Sequence, residues 1–387
     1  MDKGAFEAQL REWRHHLHAN PESAFEEQKT SDYVAGELAA MGFEVHRNIG
    51  RTGLVGCLKV GDGPGMVGIR ADMDCIKLAE HGDLPYKSQT PDRMHACGHD
   101  GHVTMALGAA RLLAERRNFN GTVCLVFQPA EEPGYGAHAM LKDGLLERFP
   151  LREIYGLHNW PGMKAGTFAT RPGGFMASED NFVIRIIGRG AHASRPHMSR
   201  DPLVIAAEII LALQTIVARN VEPDQPAVVS CTELHTDGVR NAIPGFVEIK
   251  GDTRSFSPEV QKLLEERMRA ICQGLCALNN ATCEFEYTHE FAPTINNREC
   301  VAHAVEAAAN VVGAGKVDGN APPGTASEDF GAFLEKIPGC FLFIGNGNEH
   351  EGKGSVPLHN SRYDFNDDIL ATGAEFFAEV VRLRLPG

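Results

Sequence analysis

The sequence predicts an α/β protein: a mostly parallel sheet, interrupted by a smaller inserted unit of ferredoxin-like α+β type. Three observations carry this reading. The chain has 387 residues, too many for one ordinary domain, so two is the default. Strand-length apolar runs alternate with helical patterns before residue 176 and again after 291, the pattern of an open parallel sheet. Between them lies a βαββαβ order, which matches a compact ferredoxin-like unit. The expected segments are 1–176, 177–290 and 291–387, the first and last forming one domain.

The elements follow in order. A helix is expected over 6–18, stopped by Asn20-Pro21 because proline blocks continuation, and a second over 31–41, stopped by Gly42. Strands are expected at 54–60 and 66–69. A helix at 102–117 carries Val103, Ala106, Leu107, Ala110 and Leu113 at helical spacing. Residues 122–127 form a short apolar β-rich run, the mark of a strand buried on both faces. A helix at 137–146 and a strand at 153–158 complete the first segment. The inserted unit reads as strand 182–187, amphipathic helix 202–217, strands 227–234 and 246–253, helix 258–278 and strand 282–289. A helix at 300–312, a strand at 340–345 and a last helix at 364–383 finish the chain. The Gly- and Pro-rich loop 318–326 is the candidate for a mobile or site-forming segment.

Composition bounds the function. Hydrophobic residues make up 43% and charged residues 23%, a globular balance. Acidic residues exceed basic ones by 51 − 37 = 14, a formal charge of −14, which argues against partners such as nucleic acid or an anionic membrane. No run reaches the ~18 uninterrupted apolar residues of a membrane span. The first nine residues lack an apolar signal core. The 10 cysteines are too dilute for a disulfide scaffold and suggest reduced thiols. A cytoplasmic location is the expectation.

In open α/β sheets, sites form at the carboxyl ends of the strands. Asp72 and Asp74 follow the strand at 66–69. Met94-His95-Ala96-Cys97-Gly98-His99-Asp100 precedes the helix at 102. Gln128-Pro129-Ala130-Glu131-Glu132 follows 122–127, His158-Asn159 ends 153–158, and His359 lies near the last helix. Thiol, imidazole and carboxylate buried together repel or stay unsatisfied unless positive charge lies between them. A pair of divalent metal ions is the simplest such species. Cys97 and His99, two apart in extended chain, would face one side and share an ion. Glu131 and Glu132 would face opposite sides, one to metal and one to substrate. Taken singly, these residues have bland readings, and it is their joint placement that points to chemistry. The bland reading is kept for His15, His16 and His18 on one helix, for His46 and His350 in polar stretches, and for Cys272 and Cys276 as core packing. Gly188-Arg189-Gly190 lacks the rest of a dinucleotide fingerprint, and there is neither a phosphate loop nor a nucleophile elbow.

Seven strings together resemble a known family. They are Arg70-Ala71-Asp72-Met73-Asp74, Cys97-Gly98-His99-Asp100-Gly101-His102, Pro129-Ala130-Glu131-Glu132, His158-Asn159-Trp160-Pro161-Gly162, Gly190-Ala191-His192-Ala193, Ser327-Glu328-Asp329-Phe330 and Leu358-His359. The chain is similar to the amidohydrolase branch of the metallo-aminoacylase and carboxypeptidase superfamily, which includes hippurate hydrolases, N-acyl-amino-acid amidohydrolases and plant auxin-conjugate hydrolases.

The resemblance implies a two-metal, exopeptidase-like catalytic domain with an inserted lid domain that also dimerises. It implies Cys97, His99, Glu132, His158 and His359 as ligands of two divalent ions (Mn, Zn, Co or Ni), Glu131 as general base and Asp72 as a residue orienting a ligand. It also implies His192 stabilising the oxyanion, in the partner subunit's site, and Asn241 and Arg254 holding the substrate carboxylate. The implied reaction is hydrolysis of a small N-acyl amino acid at its amide, by water activated at the metals, in a homodimer or higher homo-oligomer. Dipeptidase or carboxypeptidase activity, or a non-catalytic binding relative, are the alternatives. Arg70 and Cys97 follow the amidohydrolase branch, where the peptidase branch has a histidine and a carboxylate. Lys77 and Ser361 depart from the usual residues of relatives.

Overall fold

The computed structural model describes residues 2–347 and 353–387. His350 lies outside them. The chain divides into two compact units. One comprises 1–175, 295–323 and 329–387, and the other comprises 176–294 and 324–328.

The larger unit is built on an eight-stranded sheet. Its order is Glu44–Ile49, Gly53–Val60, Gly121–Gln128, Met66–Asp72, Glu153–Pro161, Gly339–Gly347, Phe168–Ala169 and Val317–Asp318. The central strands Gly121–Gln128, Met66–Asp72, Glu153–Pro161 and Gly339–Gly347 run parallel. The two strands before them are antiparallel additions. In register, Asp72 lies beside Gln128 and Phe343 beside His158, so the carboxyl ends of these strands share one edge.

Helix His99–Arg116 carries the core on this edge. Leu107, Leu112 and Leu113 are fully buried, each worth about 1.5–3 kcal/mol in removed apolar surface. Helix Lys3–Ala19 is capped by Asp2, whose carboxylate accepts from the Gly4 and Ala5 N–H groups at 3.3 Å; such a cap contributes about 1 kcal/mol.

The structure differs from the sequence reading at short strands such as Phe168–Ala169 and Val317–Asp318, too brief to carry a periodic pattern, and at four longer elements. The helix expected from residue 102 starts at His99, because left-handed Gly98 (φ 96) turns the chain directly into it. The helix expected over 137–146 breaks into Gly136–Lys142 and Leu145–Arg148 at Gly144 (φ 81). The last helix spans Leu370–Arg384, not 364–383, since Asn366 caps a preceding 3-10 turn through the Asp368 N–H. The edge strand Glu44–Ile49 is absent from the sequence reading; only Ile49 in it is buried, so it lacks a buried apolar stripe.

The histidines of the first helix are structural. His18 is fully buried against Asp100 (2.8 Å), and Asp100 also faces buried Arg14 (3.6 Å). Burial opposes charge on His18, but its bond to Asp100 and the Glu80 carboxylate 3.5 Å away outweigh this and raise its pKa to about 9. A raised pKa means the folded state binds the proton more tightly, so this contribution is complete below pH 6.5 and is lost as pH climbs through 9. It amounts to about 3 kcal/mol. The melting temperature is therefore expected to fall between pH 7 and 9.5, and His18→Asn should flatten that slope. An equally steep slope in the variant would assign it to other groups.

The second unit has a four-stranded antiparallel sheet in the order Ala227–Thr236, Phe246–Ser255, Glu179–Ile187 and Thr282–Phe291. With helices Pro202–Asn220 and Pro258–Leu278, this is the ferredoxin-like arrangement. Ile205, Ile209, Leu213 and Ile216 face Ile184, Ile186, Val247 and Ile249 in its core, together with Cys272 and Cys276. Helix Pro202–Asn220 is long and apolar enough, by length and composition alone, to cross a bilayer, but its buried stripe fills this core.

Candidate metal centre

The carboxyl edge of the parallel strands gathers the sequence-predicted donors of the larger unit. Donor atoms of Cys97, His99 and His158 lie within 4.8 Å of one another, as do those of Cys97, Glu132 and His359, and those of His99, Glu131 and Glu132. The Cys97 Sγ stands 3.4 Å from His158 Nε2, and His359 Nε2 stands 3.6 Å from Glu132.

The imidazoles are oriented by main-chain carbonyls. His99 donates through Nδ1 to the Asp74 oxygen at 2.9 Å, and His158 donates through Nδ1 to the Asn159 oxygen at 2.6 Å. Each Nε2 is thereby the ring nitrogen that could coordinate an ion. His102 is different. Its Nδ1 meets Asp72 at 2.6 Å and its Nε2 meets Asn159 at 2.7 Å, so both nitrogens are occupied and it braces rather than ligates. Asn159 in turn donates to Tyr363 at 2.6 Å.

Two details correct the sequence reading. Cys97 and His99 do not converge through extended chain; left-handed Gly98 between them makes the turn. Glu131 and Glu132 do not face opposite sides either. They sit in a turn, and both carboxylates approach His99 Nε2 at 3.9 Å. The turn is held by Asp74, which accepts from the Glu131 N–H at 3.0 Å and the Glu132 N–H at 3.1 Å. Asp74 was legible only as a metal-capable residue, and nothing in the local pattern marked it as an anchor.

Electrostatics tests whether a cation fits. Burial pushes the Cys97 thiol well up, with Glu132 adding to it, and pushes Glu132 up to about 7. Burial also drives His158 well below its usual range. Among the described residues, buried His99 Nε2 and Glu132 Oε1 have no hydrogen-bond partner. A divalent ion resolves each of these, since thiolate, neutral imidazole and carboxylate are the forms it takes. Burial disfavours charge on Asp72, but Arg70, His99 and His102 hold its carboxyl well below the usual range. Arg70, fully buried, donates to Asp72 and Gln128 at 2.8 Å each and to Asp329 at 3.1 Å.

The remaining predicted residues belong to the second unit. His192, exposed, pairs through its short strand with Ala242. Its Nδ1 accepts from the Ser194 N–H at 3.1 Å, which leaves the proton on Nε2. The Asn241 carbonyl accepts from the Ala193 N–H at 3.0 Å. Arg254 already holds Glu179 at 2.8 Å and Asp252 at 2.9 Å.

Fold and cluster together define the class, a divalent-metal-dependent hydrolase. Residues 68–383 match Peptidase family M20/M25/M40, and the chain belongs to this family. It is 42% identical over 367 residues to a hippurate hydrolase from Campylobacter jejuni, covering 95% of this chain and 94% of that one. It is 37% identical over 367 residues to thermostable carboxypeptidase 2 from Saccharolobus solfataricus, covering 93% and 91%. A solved structure of the Bacillus subtilis YXEP protein, described as a dinuclear metal-binding peptidase of the M20 family, superposes with a TM-score of 0.86 at 32% identity and covers 99% of both chains. The protein is a metal-dependent amidohydrolase, an enzyme acting on amides.

Proposed function

We propose that the enzyme hydrolyses the amide of N-acyl amino acids of hippurate type, releasing a carboxylic acid and a free amino acid. One observation carries this reading: the Glu131 carboxylate stands with His99 and Glu132 inside the donor cluster, in a chain 42% identical to a hippurate hydrolase. Cys97, His99, Glu132, His158 and His359 would hold two divalent ions, which would supply carbonyl polarisation and a lowered pKa for water. Glu131 takes the proton of the attacking water and passes it to the leaving nitrogen. Asp72, charged and tied to His102, steadies the imidazole layer.

His192 of the partner subunit donates from Nε2 to the developing oxyanion, a role worth about 2.7–4 kcal/mol in comparable sites. Asn241 and Arg254 receive the substrate carboxylate, with Arg254 pre-aimed by Glu179 and Asp252. A homodimer through the inserted lid unit completes the reading. Its support is the outer strand Ala227–Thr236, an edge unpaired among the described residues, beside a helix exposing Leu203, Val204 and Leu211.

Chelation is expected to abolish activity, and Mn²⁺, Zn²⁺, Co²⁺ or Ni²⁺ to restore it to different degrees. Undiminished turnover in excess chelator, with metal analysis showing none bound, would end the reading. Identity to a carboxypeptidase favours a second reading, peptide hydrolysis. A release assay comparing benzoyl, acetyl and indole-acetyl amino acids with dipeptides decides between them.

A further inference from the structure

The turn that carries Glu131 and Glu132 is gripped by a second buried carboxylate, contributed from more than 100 residues away. Glu27 is fully buried. Its Oε1 accepts from the Ala130 N–H at 2.9 Å and the Phe25 N–H at 3.0 Å, and its Oε2 from the Thr52 hydroxyl at 2.5 Å. Ala130, also buried, has a φ of 51, a left-handed conformation that is strained for alanine. The next two N–H groups, of Glu131 and Glu132, point at Asp74. The Ala130 carbonyl closes the far side by accepting from the Gly136 N–H at 2.9 Å. Three consecutive main-chain N–H groups thus converge on two buried carboxylates, as in an anion-binding nest whose anions belong to the protein.

Phe25 and Arg51 are left-handed as well, with φ of 61 and 73, and the Arg51 guanidinium lies over the Phe25 ring at 4.2 Å. Ala130, Phe25 and Arg51 thus place three left-handed residues around Glu27. Such strain persists only where surrounding contacts over-determine it, and it concentrates at functional sites.

We propose that Glu27 is a positioning residue of the metal centre: by accepting the Ala130 N–H it holds the left-handed turn that sets Glu131 and Glu132 side by side against His99. This rests on the hydrolase reading for its catalytic consequence, but the predicted effect on metal binding stands without it. Burial pushes the Glu27 carboxyl up to about 7, so a neutral side chain of the same shape is a close substitute. In Glu27→Gln the amide oxygen still accepts both N–H groups and the NH₂ meets the Thr52 hydroxyl.

The test compares Glu27→Ala, Glu27→Gln and wild type by Mn²⁺ titration calorimetry and by kcat and KM on an N-benzoyl amino acid. Glu27→Ala is expected to weaken Mn²⁺ binding roughly 10–100-fold and to lower kcat at saturating Mn²⁺ with KM little changed, since Glu27 touches no substrate. Glu27→Gln should restore both values to near wild type. If the alanine variant does not fold, Glu27→Asp replaces it; one methylene shorter, it keeps the carboxyl but loses the reach to Ala130 and should show the same losses. Wild-type Mn²⁺ affinity and kcat in a folded Glu27→Ala or Glu27→Asp would overturn the proposal, even with a lowered melting temperature, as would a glutamine variant no better than alanine. If wild type hydrolyses no N-acyl amino acid with any metal, the hydrolase reading fails, and the calorimetric comparison still decides the role of Glu27.

Discussion

Glu131→Gln should cut turnover by about 10²–10⁴-fold, the range a positioned general base contributes, while bound metal stays at the wild-type level. Glutamine has the same shape and lacks only the ability to take a proton. The turn does not depend on the Glu131 carboxylate, because its N–H and that of Glu132 are held by Asp74. Neither do the proposed ligands, which lie on other residues. Metal content by elemental analysis and kcat on an N-acyl amino acid separate the two properties. Normal turnover would remove Glu131 as the base. Loss of metal along with turnover would make it a ligand instead.

Gly98→Ala should cost both stability and metal. Gly98 has a φ of 96, and a Cβ there would lie 2.3 Å from Asn159 Oδ1 and 2.7 Å from Tyr363 Oη. Those atoms belong to the brace behind His158 and His102, so the clash falls on the residues that orient the donors. Left-handed strain of about 1–2 kcal/mol adds to overpacking of about 1–3 kcal/mol, for a total of about 2–5 kcal/mol. Gly162→Ala is the control. Gly162 has a φ of 90 with nothing within 4 Å of a Cβ, so only the strain remains and metal affinity should hold. Urea denaturation and metal titration of the two variants check this. Equal losses would mean that backbone strain alone, and not the Asn159–Tyr363 contact, governs Gly98.

Much of this was readable from residue order. Strand-length apolar runs and helical spacing located most elements, because burial on both faces of a parallel strand leaves a continuous apolar string. The donors were readable for a related reason: each falls where a strand or its following loop reaches the carboxyl edge. Edge strand Glu44–Ile49 was not, since exposed residues on one outer strand carry no periodic apolar signal. Nor was the break at Gly144, where a single left-handed glycine outweighed a pattern compatible with continuous helix.

The chain by itself determined which chemical groups were present and roughly where along the topology they would emerge, because hydrophobic periodicity and turn residues act over a few neighbours. Only the tertiary structure decided how those groups point. Extended chain would have sent Glu131 and Glu132 apart. Carboxylates at Glu27 and Asp74, distant in sequence, instead seize three successive N–H groups and bend Ala130 left-handed. Likewise Arg254 is engaged by Glu179, which lies far away in the chain on another strand. Hydrogen bonds between buried groups far apart in the chain set such directions, and they exist only once the core has brought their partners together.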